Sequence, residues 1–295
     1  MNITKLAAID IGSNSIRLLI SNVIEYQNET HIRKSQLVRL PIRLGADSFV
    51  DGRISERNKE RLMDAMQSYA YIMKVNDVLH FRACATSAMR DASNGDDIRV
   101  AINDKTGINI EIIDGDEEAR LILQNDFLRG LIEDARDFLY VDVGGGSTEI
   151  TVFQNGKRME ARSFNIGTVR LLNDSVDSAS WDEMKSWIMT QSTHLAKPVM
   201  VGSGGNINRI LKMASKPSGS ALSLDYLENQ YNYLKRFSEE ERIVRLNLNV
   251  DRADVIIHAL RIFLNAMRWA GTEKVYVPKI GLSDGIVRDL HQRQR

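Results

Sequence analysis

The sequence is short of the things that would tie it to a surface, a membrane or an oxidising compartment. Its 295 residues include one cysteine, Cys84, so no intrachain disulfide can form and a reducing compartment fits. Cys84 falls at the end of a predicted buried strand, Val78 to Cys84, where it reads as a small hydrophobe rather than a nucleophile. Net charge is also absent, with 39 Lys and Arg against 39 Asp and Glu. No global field draws the chain to nucleic acid or to an anionic membrane, so neither is an expected partner. Any polyanionic ligand must be held by a local cluster of positive groups. Long apolar runs are missing too. The first such stretch is broken by Asp10 and Arg17, which excludes a signal peptide or a membrane span and leaves the cytoplasm as the expected location. The histidines at 31, 80, 194, 258 and 291 show no metal-ligand spacing. No segment is disordered by composition, and the one linker-like stretch, 215–223, is short enough to be a surface loop.

What the chain has is one loop written twice. Residues 8–17 read Ala-Ile-Asp-Ile-Gly-Ser-Asn-Ser-Ile-Arg, and residues 140–149 read Tyr-Val-Asp-Val-Gly-Gly-Gly-Ser-Thr-Glu. Each is an apolar strand ending in Asp, a turn of small residues and a second apolar strand. A single copy reads more readily as a hairpin turn in which Gly supplies a positive φ. The matched pair points further. Small-residue turns let backbone N–H groups approach phosphate oxygens, while the strand-end carboxylate can hold a magnesium ion. Two copies imply two similar half-structures facing across a cleft.

The elements around the loops repeat in order. In the first half, strands Leu6–Ile11, Arg17–Val23 and His31–Leu40 precede a polar loop with Gly45 and Gly52. A helix opened by Ser55 buries Leu62, Met66, Tyr69, Ala70 and Met73. Strand Val78–Cys84, a short helical region after Thr86, a helix near Asp96–Lys105 and strand Asn109–Ile113 follow. In the second half, a helix from Asp116 through Leu128 leads to strands Phe138–Asp142, Thr148–Phe153 and Lys157–Asn165. A helix with Trp181 and Trp187 and strand Pro198–Gly202 come next. Gly202 to Asn206 then feeds a helix, as Ala85 to Ala88 does after Val78–Cys84. Helices from Asp225, Glu239 and Arg252, strand Lys274–Val277 and a last helix from Ser283 complete the chain. The fold class is therefore α/β, with duplicated mixed sheets flanked by helices. The expected domains are 1–116 and 117–282, with the last helix (about 283–295) packing back on the first.

This arrangement describes the ribonuclease-H-like, actin-like fold. Within it the residues resemble the exopolyphosphatase / guanosine pentaphosphate phosphohydrolase family, over nearly the whole chain. The resemblance rests on Asp10-Ile11-Gly12-Ser13-Asn14-Ser15 with Arg17, on 85–90 (Ala-Thr-Ser-Ala-Met-Arg), on 117–122 (Glu-Glu-Ala-Arg-Leu-Ile) and on 142–149. Gly167-Thr168-Val169-Arg170 and Arg252-Ala253-Asp254 fit as well. It implies release of terminal phosphate from inorganic polyphosphate, guanosine pentaphosphate or both, in the setting of the stringent response. The extra helical domain of longer members is not expected in this sequence, and no His-Asp pair supplies its metal motif. Where many members carry Ser-Gly-Thr in the last loop, Gly204-Gly205-Asn206 stands here.

Cleaving a phosphoanhydride takes an in-line water, a group to orient or deprotonate it, and positive charge on the phosphoryl oxygens. The resemblance points to Glu118 as the base. Spacing alone allows Glu117 and Glu118 merely to complement a helix N-terminus. Asp142 and Glu149, at the two ends of one turn, are the expected ligands of Mg2+ or another divalent cation, with Asp10 the equivalent acid in the first copy. Phosphate is expected on Gly12, Ser13, Asn14, Ser15, Thr86, Ser87, Gly144, Gly145, Gly146, Ser147, Gly204 and Gly205, with Arg17 and Arg90 as clamps. Arg120, Arg170 and Arg209 are weaker candidates. The partner is then a small or polymeric phosphate substrate, gripped over a few phosphates only. The apolar helix from Arg252 to Trp269 is either buried or a homodimer contact. Two rival readings stay open: an ATP-dependent small-molecule kinase of the same fold, and a regulator that binds an alarmone or nucleotide without turnover.

Overall fold

A computed structural model of the chain describes residues 1–27, 29–125, 127–128, 130, 136–278 and 280–294. Its contacts divide it into two compact units, Met1–Asn125 with Gly281–Arg295, and Asp126–Ile280. In the first unit, β1 (Asn2–Ile11), β2 (Ile16–Tyr26), β3 (Glu29–Leu40), β4 (His80–Ala85) and β5 (Ile110–Ile112) form a sheet in the order β3-β2-β1-β4-β5. Strands β1, β2 and β3 run antiparallel in turn, while β1, β4 and β5 are parallel.

The second unit contains β6 (Phe138–Val143), β7 (Thr148–Gln154), β8 (Lys157–Phe164), β9 (Val199–Ser203), β10 (Ala221–Ser223) and β11 (Lys274–Tyr276), ordered β10-β11-β9-β6-β7-β8. Without the short edge strand β10, β8-β7-β6-β9-β11 repeats the first sheet strand for strand, with the same directions. The chain thus has the duplicated actin-like fold, two mixed sheets flanked by helices.

The central strand of each copy is largely apolar, Leu6–Ile11 apart from Asp10 and Phe138–Val143 apart from Asp142, because both its faces are covered. In the first unit Ala7, Ile9 and Ile11 pack with Leu62, Met66 and Tyr69 of helix Glu56–Val75. The opposite face of β1 lies under the last helix, Leu282–Arg293, which also touches β2 and β4. In the second unit helix Ile256–Ala270 buries Ile256, Ala259, Leu260, Ile262, Phe263, Leu264, Ala266, Met267 and Ala270. Its apolarity is accounted for by its own core.

Three sequence expectations are corrected. The polar loop around Gly45 contains a helix, Leu44–Asp51, entered from Arg43 in the left-handed conformation (φ 62°) and ended by Gly52 (φ 68°). No side chain caps its start, so the usual signal was missing. The helix expected from Asp116 to Leu128 ends at Ile122, where buried Asn125 donates from Nδ2 to the Ile122 carbonyl at 2.7 Å and competes with helix continuation. Beyond it, Asp126 lies outside the described residues. Within the expected loop 215–223, Ala221–Ser223 pairs antiparallel with β11.

The last helix meets helix Gly115–Ile122 at Gly285, where a Cβ would stand 1.9 Å from the Leu121 carbonyl oxygen. Helix propensity alone makes Gly285→Ala stabilising by about 1 kcal/mol. The contact reverses the sign: the variant is expected to lose about 1–3 kcal/mol in urea unfolding, and a gain would show that the helices do not meet this closely.

Candidate functional site

The two repeated turns close in the same way. Gly12 N–H donates to the Ser15 carbonyl at 3.2 Å, and Gly144 N–H to the Ser147 carbonyl at 3.0 Å. Each turn is then strapped from behind. In the second unit Thr168 N–H donates to the Gly144 carbonyl (3.0 Å), Val169 N–H to the Gly145 carbonyl (2.8 Å) and Arg170 Nε to the Gly146 carbonyl (2.7 Å). In the first unit Gly45 N–H donates to the Ser13 carbonyl (2.8 Å) and Arg43 N–H to the Asn14 carbonyl (3.2 Å). In a trans peptide the carbonyl and the following N–H point opposite ways. Carbonyls tied inward therefore turn the N–H groups of Asn14, Ser15, Gly145, Gly146 and Ser147 outward, as a ready anion cradle.

The second loop type also repeats. Thr86 N–H donates to the Ile11 carbonyl at the end of β1 (3.1 Å), and Ser87 Oγ lies 3.0 Å from Ser13 Oγ, so 86–87 touches the first turn directly. At the equivalent place Gly204 (φ 114°) lies so close to β6 that a Cβ would stand 2.7 Å from the Val143 carbonyl oxygen and 3.5 Å from Asp142 Oδ1. Only glycine fits there. Gly205 begins helix Gly205–Met213, and its carbonyl accepts from Arg252. Asn206 beside it is 8% exposed, and its Oδ1 has no hydrogen-bond partner among the described residues.

Pairing across the sheets sets the charges. In the first unit one row runs Arg39, Arg17, Asp10, Cys84, Glu111. The matching row of the second unit runs Ser163, Glu149, Asp142, Ser203. Arg17 donates to buried Asp10 at 2.9 Å. Burial pushes the Asp10 carboxyl above its ordinary range, against the pull of Arg17. Asp142 and Glu149 stand directly opposite each other, and Ser163 Oγ donates to Glu149 at 2.9 Å. Among the described residues no group of three or more His, Cys, Asp or Glu side chains is gathered for a metal ion. Asp10 has a guanidinium as its neighbour instead.

The arginines divide. Arg90 donates to the Ile113 carbonyl at 2.8 Å and so steadies the approach to helix Gly115–Ile122. Arg170 holds the glycine turn, and Arg209 donates to the Leu246 and Asn247 carbonyls. Arg120 belongs to an ionic latch whose centre is buried Arg82. Arg82 donates to Glu111 (2.6 Å), Glu117 (3.1 Å) and Asp289 of the last helix (2.8 Å). Arg120 donates to Glu117 (2.8 Å) and Asp289 (2.9 Å), and Arg293 reaches Asp289 at 2.7 Å.

The latch separates the two adjacent glutamates. Asp114 caps the helix, accepting from Glu117 N–H at 2.8 Å. Residues that follow one another on a helix differ in direction by roughly 100°. With Glu117 turned to Arg82 and Arg120, half-buried Glu118 projects elsewhere. Sequence reasoning missed Arg82, Asp289 and Arg39. The first two meet across 207 positions, which no local pattern announces; Arg39 shows itself only once strand register is known.

Hydrogen bonding from Arg120, reinforced by Arg82, lowers the Glu117 pKa from 4.5 to about 2. A depressed carboxylate contributes stability that is full above the unfolded value and is lost as pH falls toward the folded one. Glu117→Gln is therefore expected to unfold more easily than wild type at pH 7, with the gap narrowing between pH 4.5 and 2. Urea titrations across that window would check this, and a gap independent of pH would show that Glu117 acts through packing alone.

Comparison with known proteins shows the family and the fold. The chain is 26% identical to the guanosine-5'-triphosphate,3'-diphosphate pyrophosphatase of Photobacterium profundum, over 98% of this chain but only 60% of that protein. It is 22% identical to exopolyphosphatase 1 of Mycobacterium bovis, over 96% of this chain and 87% of that one. A crystal structure of an exopolyphosphatase from Cytophaga hutchinsonii shares the fold, with a TM-score of 0.83 at 22% identity and 98% coverage of both chains. The profile of the Ppx/GppA phosphatase family matches residues 29–294, and the chain belongs to that family.

Proposed function

We propose that the protein is a phosphoanhydride hydrolase releasing the terminal phosphate of inorganic polyphosphate, guanosine pentaphosphate or both. The observation that carries this is the pair of strapped turns, each presenting outward N–H groups beside a strand-end carboxylate. Relatives named as exopolyphosphatase and as guanosine-5'-triphosphate,3'-diphosphate pyrophosphatase support it.

Glu118 orients or deprotonates the attacking water, and the turns bind phosphate oxygens through the N–H groups of Asn14, Ser15, Gly145, Gly146 and Ser147. Asp142 and Glu149 fit a divalent cation: two carboxylates directly opposite on one sheet face offer the hard oxygen ligands it takes. Such a cation, magnesium in this reading, supplies positive charge to the phosphoryl oxygens. Asp10 serves better as the partner that fixes Arg17 for phosphate than as a metal ligand. The substrate is gripped locally, as the balanced charge of the chain requires. Among the described residues no helix is long and apolar enough to cross a membrane, and a cytoplasmic site of action fits the substrates proposed.

Phosphate release from polyphosphate and from guanosine pentaphosphate, at equal phosphoanhydride concentration, tests the function directly; no release from either would overturn it. Glu118→Gln is expected to lower turnover by about 10²- to 10⁴-fold with little change in substrate affinity. Wild-type turnover in that variant would remove Glu118 from the role. Asp142→Asn and Glu149→Gln are each expected to raise the magnesium concentration for half-maximal activity. An unchanged requirement in both would place the cation elsewhere.

A further inference from the structure

Helix Gly115–Ile122 has eight residues, fewer than the roughly 12–15 that an isolated helix needs in water. Its orientation, and with it the direction of Glu118, is therefore borrowed from its neighbours. Glu117, Arg120 and Leu121 are spaced i, i+3 and i+4, so they share one face. That face is fastened to the last helix. Arg120 grips Glu117 with Nε and Nη2 (2.5 and 2.8 Å) and reaches Asp289 Oδ1 at 2.9 Å. The Leu121 carbonyl lies so close to Gly285 that a Cβ would not fit between them.

Asp289 is the node of this attachment. It is 4% exposed. One of its oxygens takes Arg120, and the other takes Arg82 of β4 (2.8 Å) and Arg293 of its own helix (2.7 Å). Strand β4 runs straight into Thr86 and Ser87, which touch the first turn. One carboxylate therefore links the helix that carries Glu118 to the strand that leads into a phosphate loop. Its loss would leave the fold's other bonds in place: Arg120 keeps Glu117, and Arg82 keeps Glu111 and Glu117. What goes is the side-chain tie between the short helix and the last one.

We infer that Asp289 is a positioning residue for turnover. Through Arg120 and Arg82 it sets the direction of Glu118 relative to the phosphate loop of the same unit, without touching substrate. The last helix thereby belongs to the reaction as well as to the core. This rests on the reading of Glu118 as the group that orients or deprotonates water.

Steady-state phosphate release by the full chain, with inorganic triphosphate and magnesium, tests it. Asp289→Asn is expected to lower kcat by about 10- to 100-fold, the cost of a small misplacement of a reacting group, while KM moves by less than about threefold. Asp289→Glu, which keeps the charge, should recover part of the loss. Glu118→Gln and the double variant complete a cycle. If Asp289 acts through Glu118, adding Asp289→Asn to Glu118→Gln should cost less than about twofold; a general structural defect would multiply the two losses. An unchanged kcat in Asp289→Asn, or losses that multiply, would overturn the positioning role and leave Glu118 in its own. Wild-type turnover in Glu118→Gln would instead overturn the role of Glu118, and this inference with it. Urea unfolding checks that each variant folds. If Asp289→Asn does not, Arg120→Gln cuts the same tie from its more exposed side, and its cycle with Glu118→Gln decides.

Discussion

A peptide bond cannot turn its carbonyl inward without turning the next N–H outward, and both candidate loops are built on that constraint. The straps that enforce it come from later in the chain, from Arg43 to Gly45 in one unit and from Thr168 to Arg170 in the other. They carry no side-chain chemistry in common. One enters through an arginine in the left-handed region, the other through Gly167, where a Cβ would stand 2.3 Å from the Gly145 carbonyl oxygen. Backbone hydrogen bonds hold the turn in each copy, joined in the second by the Arg170 side chain, so the other side chains are left to decide what each copy does.

The sheets make that decision by register. Equivalent rows carry two arginines with one carboxylate in the first unit and two facing carboxylates in the second. Duplication gave two frames of the same strand order, and register places residues of opposite charge at matched positions, Arg17 in one and Glu149 in the other. The latch around Arg82 is of another kind. It joins β4, β5, helix Gly115–Ile122 and the last helix, and its contribution is to hold Glu117 in one direction so that Glu118 has another.

Much of this was legible in the sequence because the signals are local. Asp10 and Asp142, the small-residue turns and the strands beside them are contiguous, so the duplicated fold and the paired turns could be read directly. Family resemblance drew attention to Glu118. The rest required distance or register. Arg82 meets Asp289 across 207 positions, and Arg39 meets Arg17 through strand pairing. Helix Leu44–Asp51 begins without a capping side chain, so its polar sequence read as loop. Asp10 and Arg17 looked like two independent ligands until the register made them a pair.

The last helix also settles an order of events. Unit two is one continuous run of chain, whereas unit one is split around it. During synthesis the inserted unit can complete its own core while the outer one still lacks the helix that covers β1. Until that helix arrives, Arg82 has Glu111 and Glu117 but not Asp289, and Leu121 has no Gly285 against it. The outer unit thus depends on contacts between pieces far apart in sequence, the kind of closure whose loop entropy is paid before the contacts form.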